Sequence, residues 1–151
     1  MAISQNYAGR IIDLCVFNTS NQAGLAAVTV GLIDSGSVIS GSYKVVQKFM
    51  KFLLTSKGTV AADLEYGTDF IGRLTSGQIQ TNSELSLRFN LEVATCKYFV
   101  TGANLTAVAD ETLRKVDLTG LSVTADTATL TLLFTFADKS TILAPVTIST
   151  V

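Results

Sequence analysis

Between Tyr43 and Thr55 the apolar positions follow a helical period. At 100° per residue, Tyr43, Val45, Val46, Phe49, Met50, Phe52, Leu53 and Leu54 share an arc of roughly 200°, and Lys44, Gln47, Lys48, Lys51 and Thr55 fill the remainder. That arc is wider than the stripe of an ordinary surface helix. It predicts a helix packed on two sides, against an internal sheet and against something else, such as another subunit. Lys57 suits the negative end of this helix, and Gly58 suits a left-handed terminating residue. Upstream, Arg10 to Phe17 and Leu25 to Ile33 are β-rich runs separated by NTSNQAG, which predicts an N-terminal hairpin with a long loop. The turn cluster DSGSVISGS, Asp34 to Ser42, then leads into the helix.

The stretch from Asn82 to Thr101 carries two periods at once. Leu85, Leu87, Phe89, Leu91 and Val93 alternate with Ser86, Arg88, Asn90 and Glu92, as in a strand. Leu85, Phe89, Val93, Cys96 and Val100 also form a helical stripe, with Thr81, Asn82 or Ser83 available to cap it. Pattern alone leaves both open. The Thr-rich last third predicts an antiparallel meander. Val116 and Leu118 share one parity and Leu121 and Val123 the other, which marks Gly120 as a bulge. Leu130, Leu132, Phe134 and Phe136 alternate with threonines after a turn at Ala125 to Thr127, and ADKS from Ala137 makes the next turn. Pro145, which cannot donate to a ladder, argues that Ile142 to Val151 is an edge strand. That strand has Val146 and Ile148 in alternation and no charge after Lys139, so it invites strand addition from another chain unless the N-terminal hairpin covers it.

Composition narrows the function. The 151 residues make one domain, with 1–40 as a hairpin extension and 41–151 as the core. Eleven Lys and Arg nearly balance twelve Asp and Glu, without the basic concentration expected of a nucleic-acid or anionic-membrane binder. With 48% hydrophobic and 15% charged residues, the chain suits a subunit that hides surface against protein neighbours. No apolar run approaches the roughly 20 residues needed to span a bilayer, and MAISQNYAGRIIDL lacks the layout of a signal peptide. A soluble protein is expected. Cys15 and Cys96 lack the paired spacing of redox or zinc motifs and read as buried free thiols. The absence of His removes the commonest general base and metal ligand. No cofactor, metal or small-molecule substrate is expected.

Candidate chemistry is sparse. Asp63, Glu65 and Asp69 lie in one loop at a spacing that glycoside hydrolysis could use, but the chain has no Trp and only Tyr66 nearby as a sugar platform. A solvated loop is the stronger reading. In Tyr66–Asp69, Gly67 permits positive φ, and Thr68 or Asp69 can cap a short helix over Phe70 to Leu74. Functionally, the same loop would present Tyr66 and Asp69 to a partner. Asp110, Glu111, Arg114 and Lys115 read either as a solvated cluster or as a salt-bridge network locking helix, strand and neighbour together.

Gly41, Lys44 and Gln47 as G-x-x-K-x-x-Q, then LLTSKG at Leu53 to Gly58, then EYGTDF at Glu65 to Phe70 resemble the sheath-initiator wedge proteins of contractile phage baseplates, which have relatives in type VI secretion baseplates. The resemblance covers about 35 residues and continues as element order, with a Pro145–Val146 pair near the end. It implies a second helix over 82–101, which we therefore expect there. The implied fold is α+β, with two main helices packed on a C-terminal three-stranded antiparallel sheet and an N-terminal β-hairpin. This chain departs from the family pattern at Leu64, where members often have Pro, and at DETLRKVDL, where many carry Glu-Pro-Arg. Glu111 and Arg114 match that motif only loosely.

The resemblance further implies a non-enzymatic virion protein of the tail baseplate, assembled in the host cytoplasm in multiple symmetric copies. Its partners would be other wedge proteins, the sheath protein, and the tail tube or hub. The interface candidates are Tyr66, Asp69, Glu111, Arg114, Val146 and Ile148. A lysozyme-like muramidase and a self-assembling decoration protein are the alternatives.

Overall fold

A computed structural model describes residues 13–14, 18–22, 25–29, 38–39, 41–103 and 108–149. The chain is α+β. Among the described residues, helices α1 (Gly41–Leu54), α2 (Phe70–Thr75) and α3 (Asn82–Ala103) precede a 3-10 turn at Ala109–Glu111 and the strands β5 (Leu113–Val123), β6 (Thr127–Phe136) and β7 (Thr141–Ser149). Short strands β1 (Asp13–Leu14), β2 (Asn18–Gln22), β3 (Leu25–Thr29) and β4 (Val38–Ile39) come first.

The last three strands form an antiparallel meander, with β6 between β5 and β7. Alternation decides its faces: Ala128, Leu130, Leu132, Phe134 and Phe136 of β6 are buried, as are Ile142, Ala144 and Val146 of β7, while the intervening residues are partly exposed. The register slips between Leu118 and Gly120, so the expected bulge is present at that point, and a second slip lies between Leu113 and Lys115. The turns fall where Ala125–Thr127 and ADKS place them, with Lys139 at φ 70° in the second.

Helix α1 is packed nearly all round. Tyr43, Val45, Val46, Phe49, Met50, Phe52 and Leu53 are buried, and Phe49 meets Phe134 edge-on at 5.0 Å between ring centroids. The helix touches α2, α3, the 3-10 turn and β7. The wide apolar arc predicted two-sided packing, and that is observed. Lys44 and Gln47, placed by periodicity among the polar remainder, are buried as well, at 2% and 1% exposure.

The segment 82–103 is a helix, and its structure explains the double period. Leu85, Phe89, Cys96 and Val100 are buried against the core, with Val93 partly so, while Leu87 and Leu91 point outward at 60% and 57% exposure. Apolar residues on two opposite faces of one helix read as alternation in the sequence. A capping box opens the helix: Glu84 N–H donates to Thr81 Oγ1, and Glu84 Oε2 accepts from the N–H groups of Thr81 and Gln80. Those backbone bonds hold the Glu84 carboxyl below its usual range.

Both edges of the meander have neighbours. Helix α3 lies along β5, where Asn82 Oδ1 accepts from Val123 N–H at 3.0 Å and Lys97 Nζ donates to the Arg114 carbonyl at 2.7 Å. Edge groups bonded in this way are closed to another strand. On the far side of β7, β3 lies parallel, pairing Ala26 with Ile142 and Ala27 with Leu143, and β2 pairs antiparallel with β3. Strand β7 therefore lies between β3 and β6 in the order β2-β3-β7-β6-β5 and is not the edge strand that Pro145 led us to expect; Pro145 itself falls beyond the two β3 pairs. Most of the hairpin expected from Arg10 to Phe17 and Leu25 to Ile33 lies outside the described residues, as does Cys15.

Candidate functional site

The loop from Lys57 to Asp69 returns to the end of α1 and fastens it. The last carbonyls of a helix have no intrahelical donor, and here the loop supplies donors. Thr68 Oγ1 donates to the Leu53 carbonyl at 2.9 Å, Thr68 N–H donates to the Thr55 carbonyl at 2.9 Å, and Lys57 N–H donates to the Thr68 carbonyl at 3.1 Å. The same hydroxyl accepts from Phe70 N–H at 3.3 Å at the start of α2, where Asp69 makes no side-chain cap. Of the two capping candidates, Thr68 is the one used.

Gly67 makes this approach possible. Its φ is +104°, and a Cβ there would lie 2.4 Å from the Thr55 carbonyl oxygen. Tyr66 turns toward the protein, its ring edge-on to Phe52 and Phe99 at 5.1 and 5.4 Å, while Phe52 and Phe99 stack at 4.2 Å. Asp63 and Glu65 are exposed. Asp63 Oδ1 accepts from Glu65 N–H, and Glu65 pairs with Lys57 at 2.6 Å, which raises the lysine's proton affinity. Exposed pairs of this kind contribute little to stability.

A second junction ties the start of α1 to the 3-10 turn. Glu111 Oε1 accepts from Lys44 Nζ at 3.1 Å and from Gly41 N–H at 3.0 Å. Both side chains are almost fully enclosed, at 3% and 1% exposure. Losing a charged partner in a buried site is costly, so each of these residues stabilises the other there. Gly41 sits at φ +68°, and its N–H points at the carboxylate. Nothing in the periodicity of α1 marks Lys44 and Gln47 as internal, and the K-x-x-Q spacing was the one available signal.

The interface candidates are therefore dispersed. Tyr66 and Asp69 flank the strap, Tyr66 half-buried and Asp69 exposed, while Glu111 is internal. Arg114 has an exposed side chain at the start of β5 and a carbonyl held by Lys97. Val146 faces the core and Ile148 is half-buried near the end of β7. The structure thus directs Glu111 to Lys44 and Arg114 to the surface. Beside the strap, Glu92 of α3 has its carboxyl raised by burial and then by the charge of Asp69, against the opposing influence of Arg73 and Arg88. Cys96 is a buried free thiol whose pKa burial pushes up to about 12, with Glu92 adding to the effect. Such a thiol is inert as a nucleophile.

Among the described residues, no three His, Cys, Asp or Glu side chains gather in a way that could hold a metal ion, and no helix is long and apolar enough to cross a membrane. A half-open cavity of about 400 Å³ between the α2–α3 connection and the β5–β6 turn is lined by Leu74, Ile79, Gln80, Val123 and Thr124, with no carboxylate. A shallower depression of about 310 Å³ holds Asp69, Arg73 and Gln78. The chain matches no family model, no curated protein and no solved structure.

Proposed function

We propose that this protein is a non-catalytic structural subunit of a contractile-tail baseplate wedge, which links the baseplate to the sheath and templates the first sheath ring by strand addition. One observation carries the reading. The residues of the resemblance are the ones that tie α1 into the fold: Lys44 is locked to Glu111, Gln47 is buried, and Gly67 and Thr68 strap the end of the helix. A motif used in this way serves a fold, and the fold in turn presents surfaces. The loop carboxylates Asp63, Glu65 and Asp69 are exposed, and Glu65 is paired with Lys57.

In this reading 1–40 is an extension whose strands β2 and β3 reach the outer side of β7, and an incoming sheath strand joins the sheet there. Among the described residues, Ala144 to Ser149 lie beyond the Ile142 and Leu143 pairs made by β3, whereas α3 side chains bond the β5 backbone at Arg114 and Val123. Main-chain pairing would supply affinity and the neutral surface would be covered by wedge neighbours.

The test is to mix the purified protein with sheath protein from a contractile tail and follow polymerisation by light scattering and electron microscopy. A shortened lag and rings capped by this chain are expected. Lysis of cell walls that disappears in Glu65→Gln or Asp69→Asn would overturn the proposal in favour of a muramidase. Closed homo-oligomers indifferent to sheath protein would favour a decoration protein.

A further inference from the structure

Strands β3 and β7 stop pairing before either strand ends. Val28 and Thr29 of β3 are still paired with Thr19 and Asn18 of β2, and β7 is paired with β6 as far as Ser149. Between β3 and β7, the pairs among the described residues are Ala26 with Ile142 and Ala27 with Leu143. The next two steps of that parallel register set Val28 against Ala144 and Thr29 against Pro145, and neither pair forms. Strand length therefore does not decide where the pairing ends.

We infer that Pro145 is the stop: it limits how far the chain's own β3 zips along β7, and so reserves the later half of that edge for a strand from another chain. The β6–β7 ladder runs without a shift from Thr135 opposite Thr141 to Thr127 opposite Ser149, and it includes Thr131 opposite Pro145. In an antiparallel ladder, pairs that exchange both backbone bonds alternate with pairs that exchange none. Proline has no N–H, so Thr131 and Pro145 form a pair of the second kind. That fixes the phase of the strand. Ile142, Ala144, Val146 and Ile148 bond to β6, and the backbone groups of Leu143, Pro145, Thr147 and Ser149 point the other way, toward β3. In the observed parallel register the ladder takes the Leu143 N–H to the Ala26 carbonyl, then the Val28 N–H to the Leu143 carbonyl. The next donor is the N–H of residue 145, for the Val28 carbonyl, and proline lacks it.

Beyond the stop, the Pro145 carbonyl, the N–H and carbonyl of Thr147 and the N–H of Ser149 face outward. A strand can bond all four without calling on the missing amide. If β3 continued along β7 it would hold an advantage over any arriving strand, because a tethered segment acts at an effective concentration of about millimolar. The stop follows from the pairing alone, whereas use of the reserved half by a sheath strand rests on the baseplate reading.

Amide hydrogen exchange of the full nitrogen-15-labelled chain, followed by NMR, tests the stop. In the parent, the Thr147 N–H is expected to exchange roughly tenfold faster, or more, than those of Ala144 and Val146. In Pro145→Ala, the new amide at 145 should exchange roughly tenfold more slowly than that of Thr147, because it bonds to Val28. Pro145→Thr serves as a second variant, with the same expectation. A new amide as fast as that of Thr147 in both variants, or a Thr147 amide as slow as that of Val146 in the parent, would overturn the inference. In the sheath polymerisation assay both variants should lengthen the lag relative to the parent, since a longer β3 ladder shortens the open edge. Protection at 145 with no change in the lag would overturn the reserved half. Protection at 145 with a parent that leaves sheath assembly untouched would uphold the stop and remove the baseplate reading.

Discussion

Among the described glycines, Gly67 has little freedom to change. Its left-handed backbone would cost a side chain about 1–2 kcal/mol on its own, and a Cβ would in addition collide with the Thr55 carbonyl at 2.4 Å. Gly58 has a similar φ of +84° but nothing within 4 Å, so the two glycines separate backbone strain from collision. Gly58→Ala should lower unfolding free energy by about 1 kcal/mol, and Gly67→Ala by about 3 kcal/mol or more, because the carbonyl it strikes is itself bonded to Thr68. Urea denaturation of both variants measures the difference. Equal losses would mean that the loop moves aside freely. A glycine in a turn was legible from the sequence, as was a cap at Thr68 or Asp69. The sequence did not reveal that Thr68 serves the end of α1 as well as the start of α2, since that depends on which carbonyls the loop returns to.

At the scale of elements, one buried ion pair joins α1 to the 3-10 turn 67 residues later. Breaking such a pair from one side leaves a stranded charge and costs about 3–5 kcal/mol, while replacing both charges is often nearly neutral. Lys44→Met alone should therefore destabilise by about 3 kcal/mol or more. Lys44→Met with Glu111→Gln should recover most of that loss, because a Gln oxygen can still accept the Gly41 N–H bond. A double-mutant cycle by chemical denaturation checks this, and additive losses would contradict the coupling. Helix α3 shows why elements are harder to read than patches. Its sequence carries apolar residues on two opposite faces, and the resulting alternation counterfeits a strand until the inner stripe is followed past Ala94 to Cys96 and Val100.

For the whole molecule, the core lies between the meander and the two long helices, with Phe49 against Phe134 near its middle. Phe49→Ala or Leu53→Ala should each cost about 3–5 kcal/mol in thermal or urea unfolding, as large-to-small changes in packed cores do. Asp63→Asn should leave unfolding within about 0.5 kcal/mol of the parent, since that side chain is exposed. If Asp63→Asn proved as damaging as Phe49→Ala, the loop could not be the solvated connector described above. The sequence by itself determined α1, the bulge near Gly120, the turns and the alternating strands, because periodicity and turn chemistry act over a few residues and leave their mark there. The helix over 82–101 was expected, and only the tertiary structure decided that its Leu87 and Leu91 stay exposed, that Lys44 and Gln47 are internal, and that Glu111 pairs with Lys44. The physical reason is that burial and pairing of polar groups depend on partners dozens of residues away, and local spacing carries no record of them.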